Sequence, residues 1–164
     1  MYSIMRNCVV PGSFDPFTLG HLDIVRRASV LFDRVYVAVM INSSKQGFFD
    51  FAARKKIAEV SCSGIPNVEV ITAEGVLCDL CRSLGACAIV KGIRNAADYV
   101  YECELADINR HLDTDIETVW LASRPELAYI SSTCVREFIK YNKPLYGVVH
   151  PDAAKLIYGM SDQT

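Results

Sequence analysis

Cys8-Val9-Val10-Pro11-Gly12-Ser13-Phe14-Asp15-Pro16-Phe17-Thr18-Leu19-Gly20-His21, continuing through Phe32 to the run Val35–Ile41, is the stretch on which the fold turns. Cys8 to Val10 ends an apolar run that breaks at Pro11-Gly12, so it reads as a strand entering a loop. From Leu19 to Phe32 the apolar residues Ile24, Val25, Ala28, Leu31 and Phe32 recur at helical spacing. Val35 to Ile41 is unbroken, apolar and rich in β-branched residues, as a strand covered on both faces requires. Strand, loop, helix and buried strand in this order predict a βαβ unit.

Outward from this unit the alternation continues. Ala52–Cys62 reads as a helix with Arg54, Lys55 and Lys56 turned outward, and Pro66-Asn67 turns the chain into a strand at Val68–Thr72. A short helix at Val76–Leu84 closes on Gly85, a candidate C-cap. Ala86–Val90 reads as a strand ending at Lys91-Gly92, Asn95–Leu112 as a long helix and Ile116–Ala122 as a strand. Helices at Ser132–Tyr141 and Pro151–Tyr158 complete the series. The pattern predicts an α/β fold: a doubly wound parallel sheet of about five strands with helices on both faces, in one domain spanning residues 1–164. Such sheets bind ligands beyond the carboxyl ends of their strands, which selects the loops after Val10, Ile41, Val90 and Ala122.

Composition narrows the function classes. The formal net charge is −2 and 51% of residues are hydrophobic, so there is no global basic field to capture nucleic acid, and any phosphate site must be local. Met1–Arg6 lacks the apolar stretch of a signal peptide, and Val35–Ile41 is too short to span a bilayer. The expectation is a cytoplasmic protein with no membrane or nucleic-acid partner. Seven cysteines, an odd number, argue against a disulfide framework. Cys78 and Cys81 form a C-x-x-C, but no second such pair and no nearby histidine accompany it. They read as small apolar groups one helical turn apart. No His/Cys/carboxylate cluster has zinc spacing, so no protein metal cage is expected.

The first loop places a glycine, a hydroxyl and a histidine between a strand end and a helix start. Glycine permits close backbone approach, and free N–H groups add to the positive end of the helix dipole, a setting that suits an anion. The string Pro11–His21 resembles the signature of the nucleotidyltransferase superfamily, a G-x-F-D-P loop followed by (T/H)-x-G-H. Thr18 in place of a first histidine is the form typical of phosphopantetheine adenylyltransferases. Three more segments resemble that family in order: Asn42-Ser43-Ser44-Lys45; Lys91-Gly92-Ile93-Arg94 with Asp98-Tyr99-Val100-Tyr101-Glu102; and Ile130-Ser131-Ser132-Thr133-Cys134-Val135-Arg136. Asn109-Arg110-His111-Leu112 matches a further family stretch, and the matches run from residue 8 to about 138.

The resemblance implies a Rossmann-like fold and transfer of AMP from ATP to 4′-phosphopantetheine, with Mg²⁺ delivered by ATP. It implies His21, Lys45 and Arg94 as the catalytic groups. It implies ATP contacts from Ser13, Phe14, His21, Gly92, Ile93, Arg94, Glu102, Leu127, Tyr129, Ile130, Ser131, Ser132 and Thr133. Ser13, Lys45, Leu77 and Lys91 would hold phosphopantetheine. A homohexamer built as a dimer of trimers, and coenzyme A as a feedback ligand, follow from the same resemblance. Lys91 stands where many relatives carry arginine, and Leu127 where some carry an aromatic, leaving Tyr129 as another source of adenine packing. Two alternatives share the first loop: transfer to another small phosphate acceptor such as nicotinamide mononucleotide, and a nucleotide-binding module without catalysis.

Overall fold

The structure, a computed structural model, describes residues 5–41 and 47–161. Its strands are β1 (Asn7–Gly12), β2 (Arg34–Ile41), β3 (Val68–Glu74), β4 (Ala86–Ile93) and β5 (Glu117–Ala122). They form one parallel sheet in the order β3-β2-β1-β4-β5. The helices are α1 (Leu19–Leu31), α2 (Phe51–Cys62), α3 (Leu77–Ser83), α4 (Ala96–Leu112), α5 (Ser132–Lys140) and α6 (Pro151–Ser161), with a 3₁₀ turn at Pro125–Leu127.

Strand periodicity sorts the core into two layers. Cys8, Val10, Val35, Val37, Val39, Ala88 and Val90 point to one face, where they meet α1, α2, α5 and α6. Val9, Tyr36, Ala38 and Ile89 point to the other, where they meet Cys78 and Cys81 of α3. Cys78 and Cys81 are 1% and 0% exposed. Burial, with neighbouring Cys78 and Asp113 adding to it, pushes the Cys81 thiol up to about 12. Thiolate chemistry is thereby suppressed, and the pair serves as packing.

Two expectations need correction. Strands β1 and β4 run on past Val10 and Val90, so Pro11, Gly12, Lys91 and Gly92 belong to strands rather than loops. Register explains this: β1 and β4 pair only as far as Val9 and Ile89, whereas β1 stays with β2 to Gly12 and β4 stays with β5 to Ile93. The two central strands therefore part company while each remains anchored to its outer neighbour, and a crevice opens at the point where strand order reverses. Pro11, which cannot donate a ladder hydrogen bond, falls where β1 has left β4.

The second correction is Arg54, which points inward and is 5% exposed. It shares the buried face of α2 with Ile57, Ala58 and Ser61, at the spacing that defines one side of a helix. Its Nε donates to the Phe49 carbonyl at 2.8 Å and lies 3.3 Å from the Asp15 carboxylate. The same carboxylate accepts the backbone N–H groups of Phe48 and Phe49, both at 2.8 Å. A side chain on Gly47 would collide with the guanidinium. The charge tolerates burial because the first loop supplies its partner, Asp15, and Phe49 supplies a hydrogen-bond acceptor.

Candidate active site

At the crevice lies a cleft of about 420 Å³, walled by the end of β1, the start of α1, the end of β4, the first turns of α4 and the start of α5. Glycines let these elements meet. A Cβ at Gly92 would stand 2.8 Å from Cγ1 of Ile24, so β4 approaches α1 more closely than any side chain there would allow. A Cβ at Gly12 would stand 2.8 Å from the Phe14 ring, which folds back over it. Phe14 holds the left-handed backbone conformation at φ 45° while 3% exposed. A bulky residue takes that conformation only where its surroundings enforce it.

What Phe14 achieves is the orientation of His21. Their rings meet edge to face with centroids 5.1 Å apart, and Phe17 stands 5.4 Å away on another side. Thr18 caps α1 through its hydroxyl, and the His21 ring reaches back so that Nδ1 accepts the Thr18 N–H at 3.0 Å. This is a capping box with histidine in the position usually held by Glu or Gln. Burial first, then the charges of Arg94 and Lys91, hold the His21 pKa down at about 4. The ring is therefore neutral at pH 7. With Nδ1 committed as an acceptor, the proton sits on Nε2, which becomes a donor for an anion in the cleft.

This assignment predicts a titration. Imidazole ¹⁵N spectra should show the Nε2–H tautomer at pH 7 with a midpoint near 4, rising when a polyphosphate is added. An Nδ1–H tautomer, or a midpoint at or above the ordinary value of 6.5, would refute it. Because the unfolded chain takes up this proton first, stability should also fall as pH drops from about 6.5 to about 4.

Opposite His21 stand two ion pairs. Lys91 Nζ lies 3.0 Å from Glu102, and Arg94 makes a fork with Asp98, from Nε at 2.8 Å and from its second guanidinium nitrogen at 3.1 Å. The Arg94 backbone N–H also donates to Asp98, at 3.2 Å. Asp98 and Glu102 are four apart on α4, hence on one face. The third wall is the start of α5. Ser131 caps this helix by accepting the Cys134 N–H at 3.0 Å, leaving its hydroxyl proton free to donate. Helix geometry leaves the N–H groups of Ser132 and Thr133 without intrahelical partners. The Ser132 hydroxyl is already used, donating to the Pro16 carbonyl at 2.8 Å. Arg136 donates to the Asp15 carbonyl at 2.6 Å and to the Thr133 hydroxyl at 3.0 Å.

Of the residues singled out from the sequence, Ser13, Phe14, His21, Lys91, Gly92, Arg94, Glu102, Leu127, Ile130, Ser131, Ser132 and Thr133 all line this cleft. Three do not. Ile93 is the last residue of β4, Tyr129 is 64% exposed outside the cleft, and Leu77 packs at the start of α3 beside Cys78 and Cys81. Lys45 lies outside the described residues. The cleft adds residues that were not singled out, among them Asp98, Arg136 and Ile24. Asp98 and Arg136 stood inside the matched motifs, and the charge they bring was the available signal. Among the described residues no group of three or more His, Cys, Asp or Glu side chains could hold a metal ion.

This geometry can be set beside known proteins. Residues 9–138 match the cytidylyltransferase-like family. A phosphopantetheine adenylyltransferase from Symbiobacterium thermophilum is 45% identical over 151 residues, covering 92% of this chain and 93% of that protein. The chain belongs to the phosphopantetheine adenylyltransferases. Others of this family, from Streptococcus pneumoniae (strain Hungary19A-6) and Lactiplantibacillus plantarum, are 47% and 46% identical, covering 82% and 83% of the chain and 83% of each protein. A solved structure described as a nicotinate-nucleotide adenylyltransferase from Vibrio parahaemolyticus superposes with a TM-score of 0.75 at 16% identity, over 94% of this chain and 93% of that one. At that identity the likeness concerns the fold, and it is the same parallel sheet with flanking helices. For a phosphopantetheine adenylyltransferase, the T-x-G-H form of the first loop is thus seen here with its threonine capping α1 and its histidine closing the capping box.

Proposed function

We propose that the 164-residue chain works as one nucleotidyltransferase domain, transferring AMP from ATP to 4′-phosphopantetheine to give dephospho-coenzyme A and pyrophosphate. The observation that carries this is the convergence of a neutral Nε2–H donor on His21 with two cations and a helix N-terminus around one cleft. The names of relatives at 41–47% identity support the acceptor.

The chemistry needs positioning and charge stabilisation more than covalent help. An oxygen of the acceptor phosphate attacks the α-phosphorus as the α–β bridging bond breaks, and pyrophosphate departs with the bonding pair. The attacking oxygen is already deprotonated, so no general base is required. His21 Nε2–H donates to the α-phosphate oxygens as their charge grows. Arg94, the Ser131 hydroxyl and the N–H groups of Ser132 and Thr133 hold the β- and γ-phosphates. Lys91, with Lys45, holds the acceptor phosphate, while Ser13 and Phe14 stand between the two substrates.

The nucleoside would lie along Gly92, Glu102, Leu127 and Ile130, and the pantetheine arm would leave the cleft towards Leu77. Mg²⁺ enters as part of the ATP substrate, held by phosphate oxygens and water. The described lining supports this: three cations, Lys91, Arg94 and Arg136, face two carboxylates, Asp98 and Glu102, too small an excess to neutralise a bare triphosphate. A homohexamer is supported by α4, which buries only Ala106 yet leaves Tyr99, Val100, Tyr101, Ile108 and Leu112 about half exposed. Coenzyme A, sharing the pantetheine arm, would be a feedback ligand of the same site. A cytoplasmic location fits a chain in which, among the described residues, no helix is long and apolar enough to cross a membrane.

Pyrophosphate release from Mg-ATP, with 4′-phosphopantetheine, nicotinamide mononucleotide and glycerol 3-phosphate supplied in parallel, tests the proposal. Release with phosphopantetheine alone is expected. Release with another acceptor would overturn the substrate, and silence with all three would leave a binding module.

A further inference from the structure

Asp98 has no place in the transfer step, yet it lies in the cleft and is firmly engaged. Its carboxylate takes both edges of the Arg94 fork and the Arg94 backbone N–H. These contacts, chiefly the side-chain hydrogen bonds of Arg94, hold its pKa below the usual carboxylate range, against a smaller opposing effect of burial. One turn on, Glu102 engages Lys91 in the same way at 3.0 Å. The four groups together are charge-neutral. Of the described lining only Arg136 remains in excess, and its guanidinium is held by the Asp15 carbonyl. A polyphosphate entering here must share Arg94 with a carboxylate that repels it.

We propose that Asp98 is a specificity-determining residue: its carboxylate competes with phosphate for Arg94 and biases the cleft towards metal-complexed polyphosphate over the bare polyanion. The reasoning is Coulombic. A bare triphosphate carries about −4 and its Mg²⁺ complex about −2, so a fixed negative charge a few ångströms away penalises the first more heavily. The fork also consumes the Nε–H and one further N–H of Arg94, leaving fewer donors for the incoming anion. This inference rests on the nucleotidyltransferase reading of the cleft.

Asp98→Asn removes the charge and one edge of the fork: its single amide oxygen can still accept from Arg94, while the amide NH2 cannot. Calorimetric titration with tripolyphosphate, which has no nucleoside to touch Glu102, should be run in EDTA and in Mg²⁺. Relative to wild type, D98N should bind metal-free tripolyphosphate about tenfold tighter at low salt and the Mg²⁺ complex only about twofold tighter. Asp98→Ser, which likewise removes the charge beside Arg94, should shift both in the same direction and carries the test if D98N melts abnormally. Equal or weaker metal-free binding in the variants would overturn the inference and leave Asp98 as a scaffold for Arg94. Wild-type protein that binds tripolyphosphate in neither condition would bring down the reading of the cleft itself.

Discussion

Replacing His21 by alanine is expected to lower turnover by roughly two to three powers of ten, the usual cost of deleting one donor to a developing oxyanion. The imidazole is neutral and its donor nitrogen is fixed by the Thr18 N–H on the other side of the ring, so the donor is in place before charge develops. Because its hydrogen bond strengthens as the transition state forms, kcat should fall much more than the KM of either substrate rises. The fold should survive. Thr18 still caps α1 through its hydroxyl, and the freed N–H of the buried Thr18 faces the space that the ring vacates, which water from the cleft can fill. Steady-state pyrophosphate release and a thermal melt check both halves. Turnover within tenfold of wild type would reject the donor role.

The largest expected effect on stability is at Asp15, not at the cleft's cations. Asp15→Ala strands the buried Arg54 guanidinium and two backbone N–H groups, those of Phe48 and Phe49. Removing one partner of a buried ion pair costs about 3–5 kcal/mol, because the remaining charge stays desolvated. Denaturant unfolding should show a loss of that size with little change in slope. A loss under about 1 kcal/mol would mean that water reaches Arg54 and that the pair is weaker than its burial implies. The residue-15 backbone carbonyl that receives Arg136 is kept in the variant, so the α5 side of the cleft loses no direct contact.

Much of this was legible in the residues themselves. Periodicity located every strand and the six α-helices to within a few residues, because β-branched apolar runs and helical spacing are local signals. The four motifs drew eleven of the cleft's residues out of the chain, and the family resemblance added Leu127. Arg54 departs from the outward expectation for a physical reason: a lone arginine on a helix is normally solvated, and its partner Asp15 lies 39 residues earlier in a loop whose conformation no local pattern specifies. Leu77, Ile93 and Tyr129 carry family resemblance but stand outside the cleft walls, where only packing determines a side chain's direction.

The sequence by itself determined the alternating order of strands and helices, the parallel sheet that order imposes, and the family to which the chain belongs. Each rests on neighbours along the chain, where hydrophobic period and turn chemistry act. Only the tertiary structure decided that β1 and β4 separate after Val9 and Ile89, that His21 is a neutral Nε2–H donor, and that Asp98 and Glu102 hold the cleft's cations. Protonation states and ion pairs depend on burial and on distances between residues far apart in sequence, and those quantities exist only once the chain has folded.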